Sequence, residues 1–169
     1  KRTLKIEEEQ IEEILDIRYG DARLIPLFNE LEHVASRPND QIDHIWARAI
    51  LSSKKAIKKQ YPSITEDLIA QYKVQLNRLA NLQVLDSVAN NEKSNTPFSE
   101  WINVKYPNDF ELNLYKQEHF IPQDISLEFS DFLQFVKERE RLLKEQIKKA
   151  FPTDFNELVD RYLLKDKLI

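Results

Sequence analysis

Residues 77–95 read NRLANLQVLDSVANNEKSN, and their reading decides the fold. Leu79 to Leu85 alternate enough to predict a short strand. Asp86 or Ser87 then caps a helix that runs through Asn90 and Lys93, since a side-chain oxygen at that position accepts from the free amides of the first turn. Upstream, QIDHIWARAIL at 41–51 sets Asp43 and His44 side by side between isoleucines. If that stretch is also a strand, the two side chains point to opposite faces unless the strand ends or bends there.

The flanks are helical in pattern. Ile6 to Arg18 reads as an amphipathic helix with Ile11, Ile14 and Leu15 near one face, and Gly20, the one glycine, is placed to end it. A second helix is predicted over Leu24 to Ala35, closed by the Arg37-Pro38-Asn39-Asp40 turn signal. Trp46 to Tyr61, WARAILSSKKAIKKQY, holds five basic residues and no acidic one; a helix there gathers Lys54, Lys55, Lys58 and Lys59 on adjoining faces, with Arg48 upstream. Ser63 to Leu76 resumes a helix with Thr65 or Ser63 as N-cap. Phe98, Trp101, Ile102 and Tyr106 suggest a further helical segment stopped by Pro107. Ser130 to Ala150 is the clearest long helix, and Thr153 to Leu164 is expected to start another after Pro152.

Composition bounds the class. The chain has 169 residues, 41% hydrophobic and 32% charged, enough to bury a core without disulfides and too apolar for a disordered tail. One glycine disfavours a turn-rich all-β fold, so the expectation is an α+β, predominantly helical protein forming one domain over 1–169. Without cysteine, a metal would have to be held by oxygen or imidazole ligands. No apolar run approaches the about 20 residues of a membrane span. A soluble, cytoplasmic protein without membrane partners is expected, and the absence of Met, even at position 1, suggests a piece of a longer protein. A net charge of −4 argues against a stand-alone nucleic-acid binder, so any DNA contact rests on the local lysine patch.

Taken alone, Asp43 and His44 read as a structural pair, because most histidines satisfy local hydrogen bonds. The downstream cluster changes their weight. Phosphodiester hydrolysis with one metal requires a hard cation on a phosphate oxygen and a base to deprotonate water. Asp43 offers a carboxylate and Asn90 a carboxamide oxygen suited to Mg²⁺ or Mn²⁺, and His44 titrates near neutrality. Asn90 and Asn91 also read as a cap or turn, and the lysines as a solvated helix face. His33 and His119 have no partner cluster and read as structural; Trp46, Trp101 and the helical phenylalanines read as core.

On these residues the chain resembles an HNH, or ββα-metal, nuclease: Asp-His-Ile on a first strand, Asn81 nine residues before Asn90, and Lys93 twelve after Asn81. The wider chain is similar to the C-terminal nuclease region of GmrSD-type restriction and antiphage defence proteins. Their N-x-L-[GA]-N-L-x-x-L pattern corresponds to NRLANLQVL at 77–85. Their N-x-x-K-S-[ND]-x-P-F-x-E-W pattern is met from Asn90 through NEKSNTPFSEW at 91–101, and their late helix resembles FLQFVKERERLLKEQI at 132–147. The resemblance implies a ββα-metal core over about 41–97, flanked by helices at 6–35 and 98–169. It implies Asp43 and Asn90 (or Asn91, one register on) as ligands of Mg²⁺ or Mn²⁺, His44 as general base, Asn81 as structural support and Lys93 as a phosphate contact. DNA contact by Arg48, Lys54, Lys55, Lys58 and Lys59 accompanies that reading. The activity implied is DNA nicking, directed by a larger N-terminal sensing or nucleotide-using module, with a second copy of the chain as a further partner to consider. Family members carry proline two or three positions after the histidine, whereas Trp46-Ala47-Arg48 stands here, so the loop after His44 is expected to differ. The rival readings are an inactive DNA-binding or regulatory module and a helical interaction domain.

Overall fold

The computed structural model describes residues 7–151. Within them the chain is predominantly helical around one two-stranded antiparallel sheet, an α+β fold. Strand β1 (Asp40–His44) pairs with β2 (Leu82–Asp86) in a register that sets Asp43 opposite Gln83 and His44 opposite Leu82. The strands are joined by a helical excursion: α3 (Arg48–Leu51), α4 (Lys54–Gln60), α5 (Glu66–Gln75) and a 3₁₀ turn (Leu79–Asn81). Helix α6 (Ser87–Lys93) follows β2 directly, so strand, strand and helix form a ββα unit.

Local chemistry accounts for these boundaries. Asp86 caps α6, its Oδ1 accepting from the amides of Val88 at 2.9 Å and Ala89 at 3.0 Å. The expected strand over Leu79–Leu85 begins three residues late because the first three residues wind into the 3₁₀ turn. The helix expected across Trp46–Tyr61 is broken at Ser52 and Ser53, where the Ser53 hydroxyl caps α4 by accepting from Ala56. Thr65 caps α5 in the same way.

Upstream, α1 (Glu8–Leu15) ends short of Gly20, which serves the following turn with a positive φ of 93°. Ile17 stays in the core beyond the helix, and Arg18 makes an isolated bridge to Arg78. Helix α2 (Leu24–Glu32) closes three residues before the expected Ala35, on a left-handed His33. Downstream lie α7 (Phe98–Lys105), α8 (Asp109–Glu118) and α9 (Phe132–Ala150). The periodicity does not pick out α8: Tyr115 is its one buried residue and Phe110 is exposed, so the apolar pattern is faint. The helix expected over Thr153–Leu164 lies outside the described residues. No described helix is long and apolar enough to cross a membrane.

The sheet separates two apolar clusters. Strand alternation turns Gln41 and Asp43, with Gln83 and Leu85, to the face carrying the larger cluster of Trp46, Trp101, Tyr115, Phe132 and Phe135. Ile42, with Leu82 and Val84, faces the smaller cluster built by α1 and α2. Helix α9 joins both, giving Phe132, Phe135 and Val136 to the first and Leu143 and Ile147 to the second. Between those groups Arg139 is fully buried. Its guanidinium donates to the carbonyls of Ala80 at 2.9 Å, Leu82 at 2.6 Å and His119 at 3.1 Å, satisfying the acceptors left by the turn that feeds β2. Burial pulls its pKa down to about 10, with the Glu32 charge opposing the shift.

Candidate active site

Asn81 is the brace that places β1 against β2. Fully buried, it accepts from the Trp46 amide at 2.9 Å and donates to the carbonyls of Trp46 at 3.2 Å and Leu76 at 2.9 Å. Its own carbonyl takes the amide of Ile45 at 2.8 Å. The loop after His44 is therefore tied to the start of β2 by both the side chain and the backbone of Asn81. Trp46 anchors the same loop from its other end, packing on Phe98, Phe132 and Phe135.

Asp43 and Lys93 come together. The Lys93 ammonium, with 0% exposure, lies 3.3 Å and 3.1 Å from the two Asp43 oxygens and donates to the His44 carbonyl at 2.7 Å. Burial lowers the Lys93 pKa, and the Asp43 charge opposes that shift. Gln83, directly across the sheet, donates to Asp43 Oδ2 at 2.9 Å. In this arrangement the lysine neutralises the carboxylate and offers no surface to a phosphate.

Asn90 occupies the same face of α6 one turn before Lys93, and its Nδ2 donates to Gln41 Oε1 at 2.8 Å. Gln41 in turn shares the Asp43 face of β1. Asn91, the neighbouring register, is exposed. The ladder runs unbroken through His44, so the imidazole leaves on the other side: Nε2 lies 2.9 Å from Asn77 Oδ1, and the Tyr19 ring packs against it with centroids 4.4 Å apart. Burial lowers the His44 pKa, the Asn77 hydrogen bond and the Asp43 charge opposing, so the neutral base is favoured near neutrality. With the Asn77 oxygen facing it, Nε2 holds the hydrogen and Nδ1 keeps the lone pair.

A surface depression of about 430 Å³ beside the sheet is lined by Tyr19, Gly20, Asp21, Gln41, Ile42 and Asn90, and neither Asp43 nor His44 is among its lining residues. Tyr19, 42% exposed, thus touches His44 on one side and opens to the space bordered by Asn90 on the other. Among the described residues no three His, Cys, Asp or Glu side chains gather as a metal-binding group. Asp43 and Asn90 are oxygen donors of the kind a hard divalent cation takes, and the Asn90 carboxamide is hydrogen-bonded through its nitrogen, but both Asp43 oxygens are engaged by Lys93 and Gln83, so a cation would share the carboxylate with them.

The cationic patch is only partly free. Lys54 and Lys58 both pair with Glu66 Oε1, at 2.8 Å and 3.0 Å. Lys55 and Lys59 are exposed on α4, and Arg48 is exposed on α3, near enough to His44 for its charge to oppose imidazole protonation.

Four residues that touch this site had no role assigned by sequence. Asn77 is the first fixed position of the pattern met by NRLANLQVL, a signal that pointed to it without giving it a role. Gln83 is identified by cross-strand register, and Tyr19 and Tyr115 by tertiary packing alone. No family model matches the chain, and no curated protein matches it by sequence.

Proposed function

We propose that this chain is a metal-dependent endonuclease domain of the HNH type that nicks DNA. The observation that carries this reading is the ββα unit, in which Asp43 lies on β1, Asn90 and Lys93 on one face of α6, and Asn81 ties the end of β1 to the start of β2. Asp43 and Asn90 would hold Mg²⁺ or Mn²⁺ through oxygen. When bound, that ion supplies positive charge to the phosphate oxygens as the transition state forms. His44, kept neutral by burial, would serve as the base that takes a water proton, with Asn77 orienting the ring. Lys93 balances Asp43 and braces the His44 carbonyl from inside the fold. Lys55, Lys59 and Arg48 supply phosphate contacts along the DNA backbone.

One such site cuts one strand, so nicks are the expected product, and double-strand cleavage requires a second copy. The reading extends to a cytoplasmic restriction or antiphage defence protein in which a larger N-terminal sensing or nucleotide-using module directs the cut. The opposite exits of Asp43 and His44 from β1 favour a second reading, a DNA-binding or regulatory module that keeps the fold without activity.

Supercoiled plasmid incubated with Mg²⁺ or Mn²⁺ separates the two. Metal-dependent nicking that disappears in both His44→Ala and Asn90→Ala supports the nuclease. Retention of DNA on a gel, with no nicked product at any metal concentration, supports the regulatory module.

A further inference from the structure

Asp43 is held from two directions, and only one of them is the lysine. From the position directly across the sheet, Gln83 donates from Nε2 to Asp43 Oδ2 at 2.9 Å, while its Oε1 accepts from the hydroxyl of Tyr115. Gln83 is fully buried and Tyr115 is 4% exposed, so water does not compete for either bond. A carboxamide presents an acceptor at one end and donors at the other. Beside a carboxylate, the donor end must face the anion, and a hydroxyl donating to the oxygen end enforces that choice. Tyr115 can act only as a donor toward Gln83 Oε1, and burial raises its pKa well above the ordinary phenol value, which keeps its hydrogen in place.

The tyrosine is itself fixed. Its ring stacks on Tyr106 with centroids 4.6 Å apart and an interplanar angle of 29°, and it lies 4.4 Å from the His119 ring. His119 Nδ1 is 2.9 Å from Glu32 Oε1. Tyr115 thereby carries the positioning of helices α7 and α8 through one amide to the β1 carboxylate.

We propose that Gln83 and Tyr115 are positioning residues that set the orientation of the Asp43 carboxylate, and hence its capacity to take a divalent cation. The cation half rests on the reading of Asp43 as a metal ligand given above. Outer hydrogen bonds to a ligating carboxylate are typically worth about 10- to 100-fold in metal affinity. Loss of the Tyr115 hydroxyl frees the Gln83 amide to turn, and loss of the amide leaves the carboxylate held by Lys93 alone.

The test uses Mn²⁺ alone as probe, followed by electron paramagnetic resonance, together with the side-chain amide signals of Gln83 in ¹⁵N-resolved NMR. Tyr115→Phe keeps the ring packing, and Gln83→Leu removes both bonds while filling similar space; unchanged circular dichroism shows that each has folded. The expected result is Mn²⁺ binding that Asp43→Asn abolishes and that Tyr115→Phe and Gln83→Leu each weaken by about 10- to 100-fold. In addition, the Gln83 amide signals shift in both Asp43→Asn and Tyr115→Phe. Unaltered Mn²⁺ affinity in the folded Tyr115→Phe and Gln83→Leu chains overturns the proposal, as do Gln83 signals indifferent to Asp43→Asn. Absence of Mn²⁺ binding by the unaltered chain overturns the nuclease reading and the cation half of this proposal. The hold on the carboxylate is then decided by the amide signals: supported if they move in both variants, overturned if they do not.

Discussion

Lys93 and Asp43 are an ion pair with little access to water, and such pairs cost most when halved. Removing the ammonium in Lys93→Met leaves a carboxylate inside the β1–α6 junction with only Gln83 to satisfy it, at a cost of about 3–5 kcal/mol. Adding Asp43→Asn removes the stranded charge, so the double variant should be more stable than Lys93→Met alone. Urea midpoints at constant slope measure both effects, and strict additivity would rule out the coupling. Asn81 predicts a different loss. Asn81→Ala strips partners from the Trp46 amide and from the carbonyls of Trp46 and Leu76, and about 2–4 kcal/mol follows from leaving buried backbone groups unsatisfied. The same urea titration reads it, and a loss well under 1 kcal/mol would mean that the Trp46 packing alone holds the loop.

At the scale of elements, α6 depends on the residue before it. Asp86→Ala removes the acceptor for the Val88 and Ala89 amides and should cost about 1 kcal/mol. Those amide bonds, Ala89 foremost, lower the Asp86 pKa in the folded chain. A depressed carboxyl pKa gives stability that is present above its unfolded value and is lost as pH falls through the folded one. The gap between the unaltered chain and Asp86→Ala should therefore be widest near neutrality and close in acid, as followed by thermal melts. This cap, like those of Ser53 and Thr65, depends on neighbours a few positions away: the sequence narrows two of the three to a pair of candidates, Asp86 or Ser87 and Thr65 or Ser63, while Ser53 is hidden inside a basic run that reads as one helix. The second strand, the helix after it and the long α9 are likewise legible, because alternation and helical period are local, whereas the first strand, and with it the ββα order, is what the resemblance implies. What escaped depends on distant partners. Helix α8 has one buried residue to mark it, Arg139 is one charge among many along α9 until the carbonyls of Ala80 and Leu82 arrive beneath it, and whether Asp43 and His44 leave by opposite faces turns on where the ladder ends, which the partner strand decides.

Across the described residues, α9 contributes to both apolar clusters, and a single cooperative body is the expected consequence. Leu143 lies in the smaller cluster, yet its helix begins among the aromatic rings around Trp46 in the larger one. Leu143→Ala should cost about 2–5 kcal/mol. Tryptophan fluorescence and far-ultraviolet circular dichroism should shift together in the denaturation curve; a fluorescence transition left in place would mean that the clusters unfold separately. The internal lysine gives this body its own clock. Lys93 is sealed between sheet and helix, whereas Lys55 and Lys59 stand in water. An acylating reagent will modify the surface amines at once and reach Lys93 only when the ββα unit opens, so the mass-resolved labelling rate at that one residue counts the openings of the core.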